Sequence, residues 1–223
     1  VIDYSKIVSC TDYSEISFKK IFLGKVIHNK KFELCVIPTT AGSGAEVTSN
    51  SVIYIERKKF SFESLKLLPD YFILVPHLVL KLNKKIKSSS GFDAISQALE
   101  SILSLKSNDK SIYFAKKSLK LSMENYLDFL KKPNNTNTLN MCLAANLSGK
   151  AINISKTIAP HAVSYPFTSY FGISHGHAVS LTLNKFLLFN FNNINYSQSN
   201  FDLKKRYKIL FSATKTKSIN DLD

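Results

Sequence analysis

The sequence predicts two kinds of structure in succession, an α/β segment over residues 1–87 and an all-helical segment over residues 88–223. In the first segment, apolar runs rich in β-branched or aromatic residues have the length of strands. In the second segment, apolar residues recur at the three- and four-residue spacing of amphipathic helices. Residues 84–90, where Lys, Asn and Ser cluster, separate the two patterns.

Local patterns predict each element in turn. The chain opens with a short helical pattern over residues 1–9, and residues 31–37 indicate a buried strand that ends at Pro38. A loop of small residues, 39–44, follows this strand. Further strands are predicted at residues 52–55 and 71–75, helices at 89–105, 111–130, 138–154 and 201–214, and a loop at 190–200.

The net charge of +14 would ordinarily indicate a polyanionic partner such as nucleic acid. The 30 basic residues include only two arginines, Arg57 and Arg206, whereas phosphate and base recognition draws on the bidentate guanidinium group. The lysines are also scattered along the chain instead of forming one patch. We therefore expect no nucleic-acid partner.

The remaining composition indicates a globular protein in a reducing compartment. With 223 residues, 44% of them hydrophobic, the chain can bury a sizeable core. Three widely spaced cysteines form no CxxC pair and no short disulfide framework. No apolar run reaches the roughly 18 residues that a membrane helix needs. We expect a cytoplasmic protein with no membrane partner.

A helical stretch that begins near Gly91 offers a first pair of metal ligands. Asp93 and Gln97 stand four residues apart, so both side chains project from one helix face, roughly 6 Å apart. A carboxylate and an amide at this spacing could hold one ion.

Two histidines, His161 and His175, offer a second pair only if the chain reverses between them. On one continuous helix their fourteen-residue separation would span about 21 Å, far more than two ligands of one metal allow. Pro166 and Gly172 lie between them and supply the residue types that end one helix and permit another. With Asp93 and Gln97, these imidazoles would make a mixed O/N donor set suited to iron(II) or zinc.

Four motifs resemble, in order, those of the iron-containing (group III) alcohol dehydrogenases. They are PTTAGSGAEVT at residues 38–48, GFDAISQALES at 91–101, APHAVSYP at 159–166 and GISHGHAV at 172–179. Within that family, residues 156–172 look most like the branch that reduces phosphonoacetaldehyde. The resemblance implies a dehydroquinate synthase-like fold, with an incomplete dinucleotide-binding domain over residues 1–87 and a helical metal-binding domain over residues 88–223. It also implies that both ends of the family's chain, and the Gly-Gly-Gly-Ser turn before the first helix, are missing here.

The resemblance assigns metal ligands to Asp93, Gln97, His161 and His175, with Fe²⁺ or Zn²⁺ as the expected ion. Gln97 is a departure, because most family members have histidine there and an amide oxygen is a poorer donor than imidazole. A metal-free or altered site therefore stays open. His177 lies two residues from His175, on the other side of a helix, and is either a relay for the alcohol proton or a surface histidine.

The same resemblance implies an NAD or NADP site formed by Thr39, Thr40, Ser43, Thr48 and Lys59. The loop over residues 39–45 supplies hydroxyls and exposed backbone N–H groups beside small residues that allow a dinucleotide to approach closely. Without the resemblance, residues 57–59 would indicate a solvated basic turn.

These observations together predict a metal-assisted, NAD(P)-dependent transfer of hydride between an alcohol and an aldehyde. The expected substrate is phosphonoacetaldehyde or a similar small aldehyde. Two alternatives stay open: a relative of glycerol dehydrogenase or dehydroquinate synthase with another substrate, and an inactive truncated fragment. A homodimer is left open as well.

Overall fold

The structure is a computed structural model that describes residues 1–11, 30–55 and 58–222. Arg57, which belongs to the predicted basic turn, lies outside these residues. The helices are α1 Ile2–Val8, α2 Pro76–Leu80, α3 Lys84–Leu103, α4 Asp109–Lys131, α5 Asn135–Ser155, α6 Ala159–Phe171, α7 His175–Asn192, α8 Leu203–Thr214 and α9 Ile219–Leu222; the strands are β1 Cys35–Val36, β2 Asn50–Ile55, β3 Lys58–Glu63 and β4 Tyr71–Phe72. The predicted order of an α/β part and then a helical part is confirmed.

Two of the strands, β1 and β4, are shorter than predicted. β1 pairs in parallel with β4, and each has only two residues, where the sequence predicted runs of seven and five. Cys35, Tyr71 and Phe72 are all exposed, so these apolar runs do not form the buried centre of a sheet. β2 and β3 form an antiparallel hairpin in which Tyr54 lies opposite Lys59.

The first helix is attached to this hairpin by a buried lysine. Lys6 is fully buried, and its Nζ donates to the Thr48 and Asn50 backbone oxygens at 2.8 and 2.9 Å and to Thr48 Oγ1 at 3.0 Å. Asp3 pairs with the same ammonium at 3.7 Å. Burial lowers the pKa of Lys6 to about 8, although the charge of Asp3 opposes that shift. These bonds hold the start of β2 against α1.

Helix α3 lies at the centre of the helical part and packs against α4, α5 and α7. From Asp93 to Leu103 every residue is buried, so this helix is enclosed on all sides instead of having one solvent face. It begins at Lys84 because Asn83 Oδ1 accepts from the Ile86 N–H at 2.9 Å. The predicted boundary at residues 87/88 therefore falls inside α3, near the end of its first turn. The non-helical connection to the α/β part precedes Lys84.

Helices α4, α5 and α8 agree with the predictions to within a few residues, whereas α2 and α9 were not predicted. Asn108 and Asn134 close capping boxes at the starts of α4 and α5. Helix α7 extends to Asn192, into the predicted loop. The main core joins α3, α4, α7 and α8 around Ile102, Leu119 and Tyr207. Within the described ranges, no helix combines the length and the apolarity needed to cross a membrane.

Candidate metal centre

Three side chains from three helices converge at the centre of the helical part. Asp93 of α3, His161 of α6 and His175 of α7 each bring one donor atom to a cluster in which all three lie within 4.8 Å of one another. Asp93 Oδ1 is 3.2 Å from His161 Nε2 and 3.7 Å from His175 Nε2. Asp93 and His161 are buried, and the side chain of His175 is 36% exposed, so the cluster is open on the His175 side.

The predicted reversal of the chain between the two histidines is confirmed. Helix α6 ends at Phe171 and is capped by Gly172, whose φ of 66° lies in the left-handed region that favours glycine. Pro166 does not make this turn, because it lies inside α6. The reversal brings the rings of His161 and His175 to a centroid distance of 5.3 Å.

The Nδ1 atom of each histidine contacts a second side chain, and the Nε2 atom of each faces Asp93. The fully buried carboxylate of Glu100 accepts from the His161 backbone N–H at 3.1 Å and also contacts His161 Nδ1. Ser164 Oγ lies 3.4 Å from His175 Nδ1. Partners of this kind set the tautomer and the orientation of metal-ligating imidazoles.

Glu100 contacts the cluster through His161, and the sequence analysis did not identify it. The sequence does contain a pattern that could have identified Glu100. It follows Asp93 by seven residues and Gln97 by three, which places all three on one face of α3. A carboxylate on that face could equally have paired with a lysine, so only its contact with His161 reveals its place.

Opposite charges in the cluster shift the pKa values of its members. Burial alone would raise the pKa of Asp93, but its hydrogen bond to His161 and the nearby charges of His175 and His161 hold that pKa below its usual value. Burial would lower the pKa of His161, but the charge of Glu100 and the bond to Asp93 raise it to about 9. Burial lowers the pKa of His175.

Gln97 contacts the cluster through its amide nitrogen and not through its oxygen. Its Nε2 donates to Asp93 Oδ2 at 3.2 Å, and its Oε1 accepts from Ser148 Oγ at 3.0 Å. The amide orientation is assigned from this hydrogen-bond network. To ligate a metal through oxygen, Gln97 would have to turn its amide over and leave Ser148, so its role as a ligand stays a prediction.

The donor set fits a divalent metal. Two imidazole nitrogens and one carboxylate oxygen, with both imidazoles backed by acceptors, are the ligands expected for iron(II) or zinc. With only three protein ligands, a bound ion would have room for a substrate oxygen, and the partly exposed His175 is the accessible member of the cluster. These three residues would hold the ion.

A cavity of about 280 Å³ opens beside the cluster, between the hairpin and α6. The predicted cofactor residues Ser43, Thr48 and Lys59 line it together with the three residues of the cluster. Thr39 and Thr40 do not line this cavity. The residues that complete its lining are Asp3, Ala45, Asn50, Val52, Tyr54, Gln97, Ile152, Thr157, Tyr165 and Thr168.

His177 lies outside the cavity. It is exposed on α7, its backbone N–H donates to Ser89 Oγ at 3.3 Å, and it lines a separate hollow between α3 and α7. His177 therefore faces away from the cluster to which His175 belongs, as helical geometry predicts. Its predicted role as a proton relay gains no support from this position.

Gly176 sets the distance between the two helices that carry Asp93 and His175. A Cβ atom at Gly176 would lie 1.9 Å from the Ser89 backbone oxygen and 3.0 Å from Asp93 Cβ. We therefore expect Gly176→Ala to push α7 off α3, to cost about 1–3 kcal/mol of unfolding free energy and to weaken metal binding. Thermal unfolding and metal titration measure the two effects.

Gly172→Ala is the matched control for this change. Gly172 has the left-handed φ of 66°, but a Cβ atom there would meet open space. We expect it to cost about 1–2 kcal/mol through backbone strain while metal affinity is retained. Equal loss of metal affinity in both variants would contradict the packing role of Gly176.

Comparisons with known proteins agree with this architecture. The family model described as Fe-containing alcohol dehydrogenase family, C-terminal, matches residues 87–221, and the model described as iron-containing alcohol dehydrogenase matches residues 1–76. The fold and the cluster thus define a protein with an α/β part and a helical part that presents two histidines and an aspartate. The chain belongs to the iron-containing alcohol dehydrogenase family.

Individual relatives are similar over much of this chain. It is 34% identical to a phosphonoacetaldehyde reductase of Streptomyces viridochromogenes, over 69% of the chain and 40% of the relative. It is 33% identical to a 4-hydroxybutyrate dehydrogenase of Clostridium kluyveri, over 80% of the chain and 49% of the relative. The crystal structure of a sulfoacetaldehyde reductase from Bifidobacterium kashiwanohense in complex with NAD⁺ is similar with a TM-score of 0.80 and 28% identity, over 97% of this chain and 61% of that one. The chain therefore spans less than half the length of these two curated relatives.

Proposed function

We propose that this chain carries the metal-binding and substrate-binding part of an NAD(P)-dependent dehydrogenase that interconverts a small aldehyde and its alcohol. The observation that carries the proposal is the convergence of Asp93, His161 and His175 on the wall of one cavity. Ser43, Thr48 and Lys59, which resemble cofactor contacts of the family, line the same cavity. A metal and a dinucleotide would therefore meet at one place.

The chemistry of the donor set supports this reaction class. A divalent cation held by the three ligands supplies a Lewis acid for an aldehyde carbonyl, and a reduced nicotinamide supplies the hydride for its carbon. The protein's own part is to orient the ligands through Glu100 and Ser164 and to enclose the substrate. A cavity of about 280 Å³ suits an aldehyde of a few carbon atoms next to a nicotinamide ring.

The expected substrate is phosphonoacetaldehyde or a close analogue. Two relatives and one structural neighbour are named for phosphonoacetaldehyde, 4-hydroxybutyrate and sulfoacetaldehyde. These compounds share a short carbon chain with an oxygen function at one end and an acid group at the other. We infer that the substrate of this protein has the same form.

Metal analysis and cofactor oxidation test the proposal. The protein as it is encoded, with any sequence that precedes or follows these 223 residues, is expected to retain iron or zinc and to oxidise NADH or NADPH with phosphonoacetaldehyde. His175→Ala serves as the matched negative control because it removes one ligand. A protein that retains no divalent metal and consumes neither cofactor with any small aldehyde would show that the proposal is wrong.

A further inference from the structure

His175 is the least restrained of the two histidines in the cluster. His161 is buried and contacts Glu100 through both its backbone N–H and its ring Nδ1. The side chain of His175 is 36% exposed, and among the described residues its Nδ1 has one hydrogen-bond partner, Ser164 Oγ at 3.4 Å. A hydrogen bond of that length is weak, so it does not by itself fix the plane of the His175 ring.

The Ser164 hydroxyl determines the tautomer of His175. Its single hydrogen is donated to the His161 backbone oxygen at 2.7 Å, so toward His175 Nδ1 the same oxygen can only accept. In the neutral imidazole Nδ1 therefore carries the hydrogen, which leaves the lone pair of Nε2 free to bind a metal. Ser164 thus selects the nitrogen that faces the ion but leaves the plane of the ring open.

The ring of Tyr165 lies parallel to the ring of His175. The interplanar angle is 2° and the centroid distance is 6.0 Å, which is within the range of offset-stacked aromatic pairs. The ring of His161, in contrast, is inclined at 71° to that of His175. In the described part of the chain the Tyr165 hydroxyl forms no hydrogen bond, so the ring and not the hydroxyl makes this contact. A rotation of the His175 ring would give up the stack.

Helix α6 carries both side chains that contact the His175 ring in this way. Tyr165 follows Ser164 directly, and both lie on the helix that also carries His161. His175 is the first residue of α7, so no preceding turn of its own helix restrains its side chain. The orientation of His175 therefore depends on contacts from α6.

We propose that Tyr165 is a positioning residue of the metal centre, whose ring stacks on His175 and holds the imidazole so that Nε2 is directed at the ion. The proposal rests on the proposed function, because it requires Asp93, His161 and His175 to bind a metal. Tyr165 itself is not a ligand. Its role belongs to the aromatic ring, so it should survive the loss of the hydroxyl.

Removal of the ring is expected to weaken metal binding. Tyr165→Leu retains an apolar side chain without the ring and is expected to raise the Kd for Zn²⁺ by about two- to tenfold, the range that an aromatic pair contributes. Tyr165→Phe retains the ring and is expected to bind Zn²⁺ as wild type does. Competition with a chromophoric chelator measures each Kd in the protein as it is encoded, with any sequence that precedes or follows these residues.

The cobalt-substituted protein separates a change of geometry from a loss of stability. The visible absorption of bound Co²⁺ depends on the arrangement of its ligands. We expect Tyr165→Leu to shift this absorption, because the His175 ring can then turn, and we expect the spectrum of Tyr165→Phe to match that of wild type.

Tyr170→Leu is the matched control. Tyr170 is another tyrosine of α6, it is 64% exposed, and it does not line the cavity. This change removes the same ring from the same helix and is expected to leave the Kd for Zn²⁺ and the cobalt spectrum unchanged. Thermal unfolding in the presence of a chelator compares the stability of the two leucine variants without metal.

Three outcomes would overturn the proposal. The first is wild-type affinity together with an unchanged cobalt spectrum in Tyr165→Leu. The second is an equal loss of affinity in Tyr165→Leu and Tyr165→Phe, which would assign the effect to the hydroxyl. The third is an equal loss in Tyr165→Leu and Tyr170→Leu. None of these measurements needs turnover, so a protein that shows the expected metal binding but reduces no aldehyde would contradict the proposed function while the positioning role stands.

Discussion

His161→Ala and His175→Ala are each expected to abolish the retention of a divalent metal, whereas His177→Ala is expected to retain it. The first two remove donors that lie within 4.8 Å of the Asp93 carboxylate and of each other. His177 is exposed on the other side of α7. Loss of a residue that only contacts a ligand typically weakens metal binding by roughly 10–100-fold. We expect His161→Ala and His175→Ala to weaken it by more than that. The metal content of the purified, desalted protein measures this.

The three variants also have to be compared for folding. His161 is 4% exposed and His177 is exposed, so their replacement disturbs the protein to different degrees. Thermal unfolding in the presence of a chelator separates loss of structure from loss of metal. Equal metal loss in all three variants, at equal apo stability, would show that the assignment of the ligands is wrong.

Glu100→Ala is expected to lower metal affinity by about 10–100-fold although Glu100 is not a ligand. The change leaves the His161 backbone N–H and ring N–H without their buried acceptor, at a cost of about 1–3 kcal/mol for each. The ring of His161 would then be free to turn, and its Nε2 would no longer be directed at Asp93. Competition with a chromophoric chelator measures the affinity of each variant.

Two further variants separate a positioning role from general destabilisation. Glu100→Gln retains an oxygen acceptor and is expected to recover part of the affinity. Glu46→Gln changes another buried carboxylate, which accepts from Asn146 Nδ2 at 2.9 Å outside the cavity, and is expected to leave metal affinity unchanged. The visible spectrum of the cobalt-substituted protein should change in Glu100→Ala and not in Glu46→Gln. Identical spectra in wild type and Glu100→Ala would count against the positioning role.

The helical part was largely predictable because its signals are local. Asparagine caps and three- and four-residue periodicity depend on neighbours in the chain, so α4 and α5 were located to within a few residues. The strands depended on partners that the sequence does not name. Residues 71–75 have the composition of a strand, but β4 pairs only with β1 and stops after two residues.

The candidate site divides in the same way. Asp93, His161 and His175 could be predicted because helix geometry and a glycine turn limit where their side chains can meet, and the family motifs contain all three. Glu100 and Lys59 could not be placed from spacing. Glu100 has the pattern of any acidic residue on a helix. Lys59, without the family resemblance, has the pattern of a solvated basic turn.

The sequence by itself determined the succession of an α/β and a helical part, the family, and the residue types available for a metal. The tertiary structure decided which of these residues meet, because Asp93 is separated by 68 residues from His161 and by 82 from His175 (175 − 93). Gly176 lets two of these helices touch, Glu100 orients one ligand, and Gln97 is turned toward Asp93 and Ser148. Lys59 lies in the cavity because the register of the β2–β3 hairpin places it opposite Tyr54, another residue of the cavity wall.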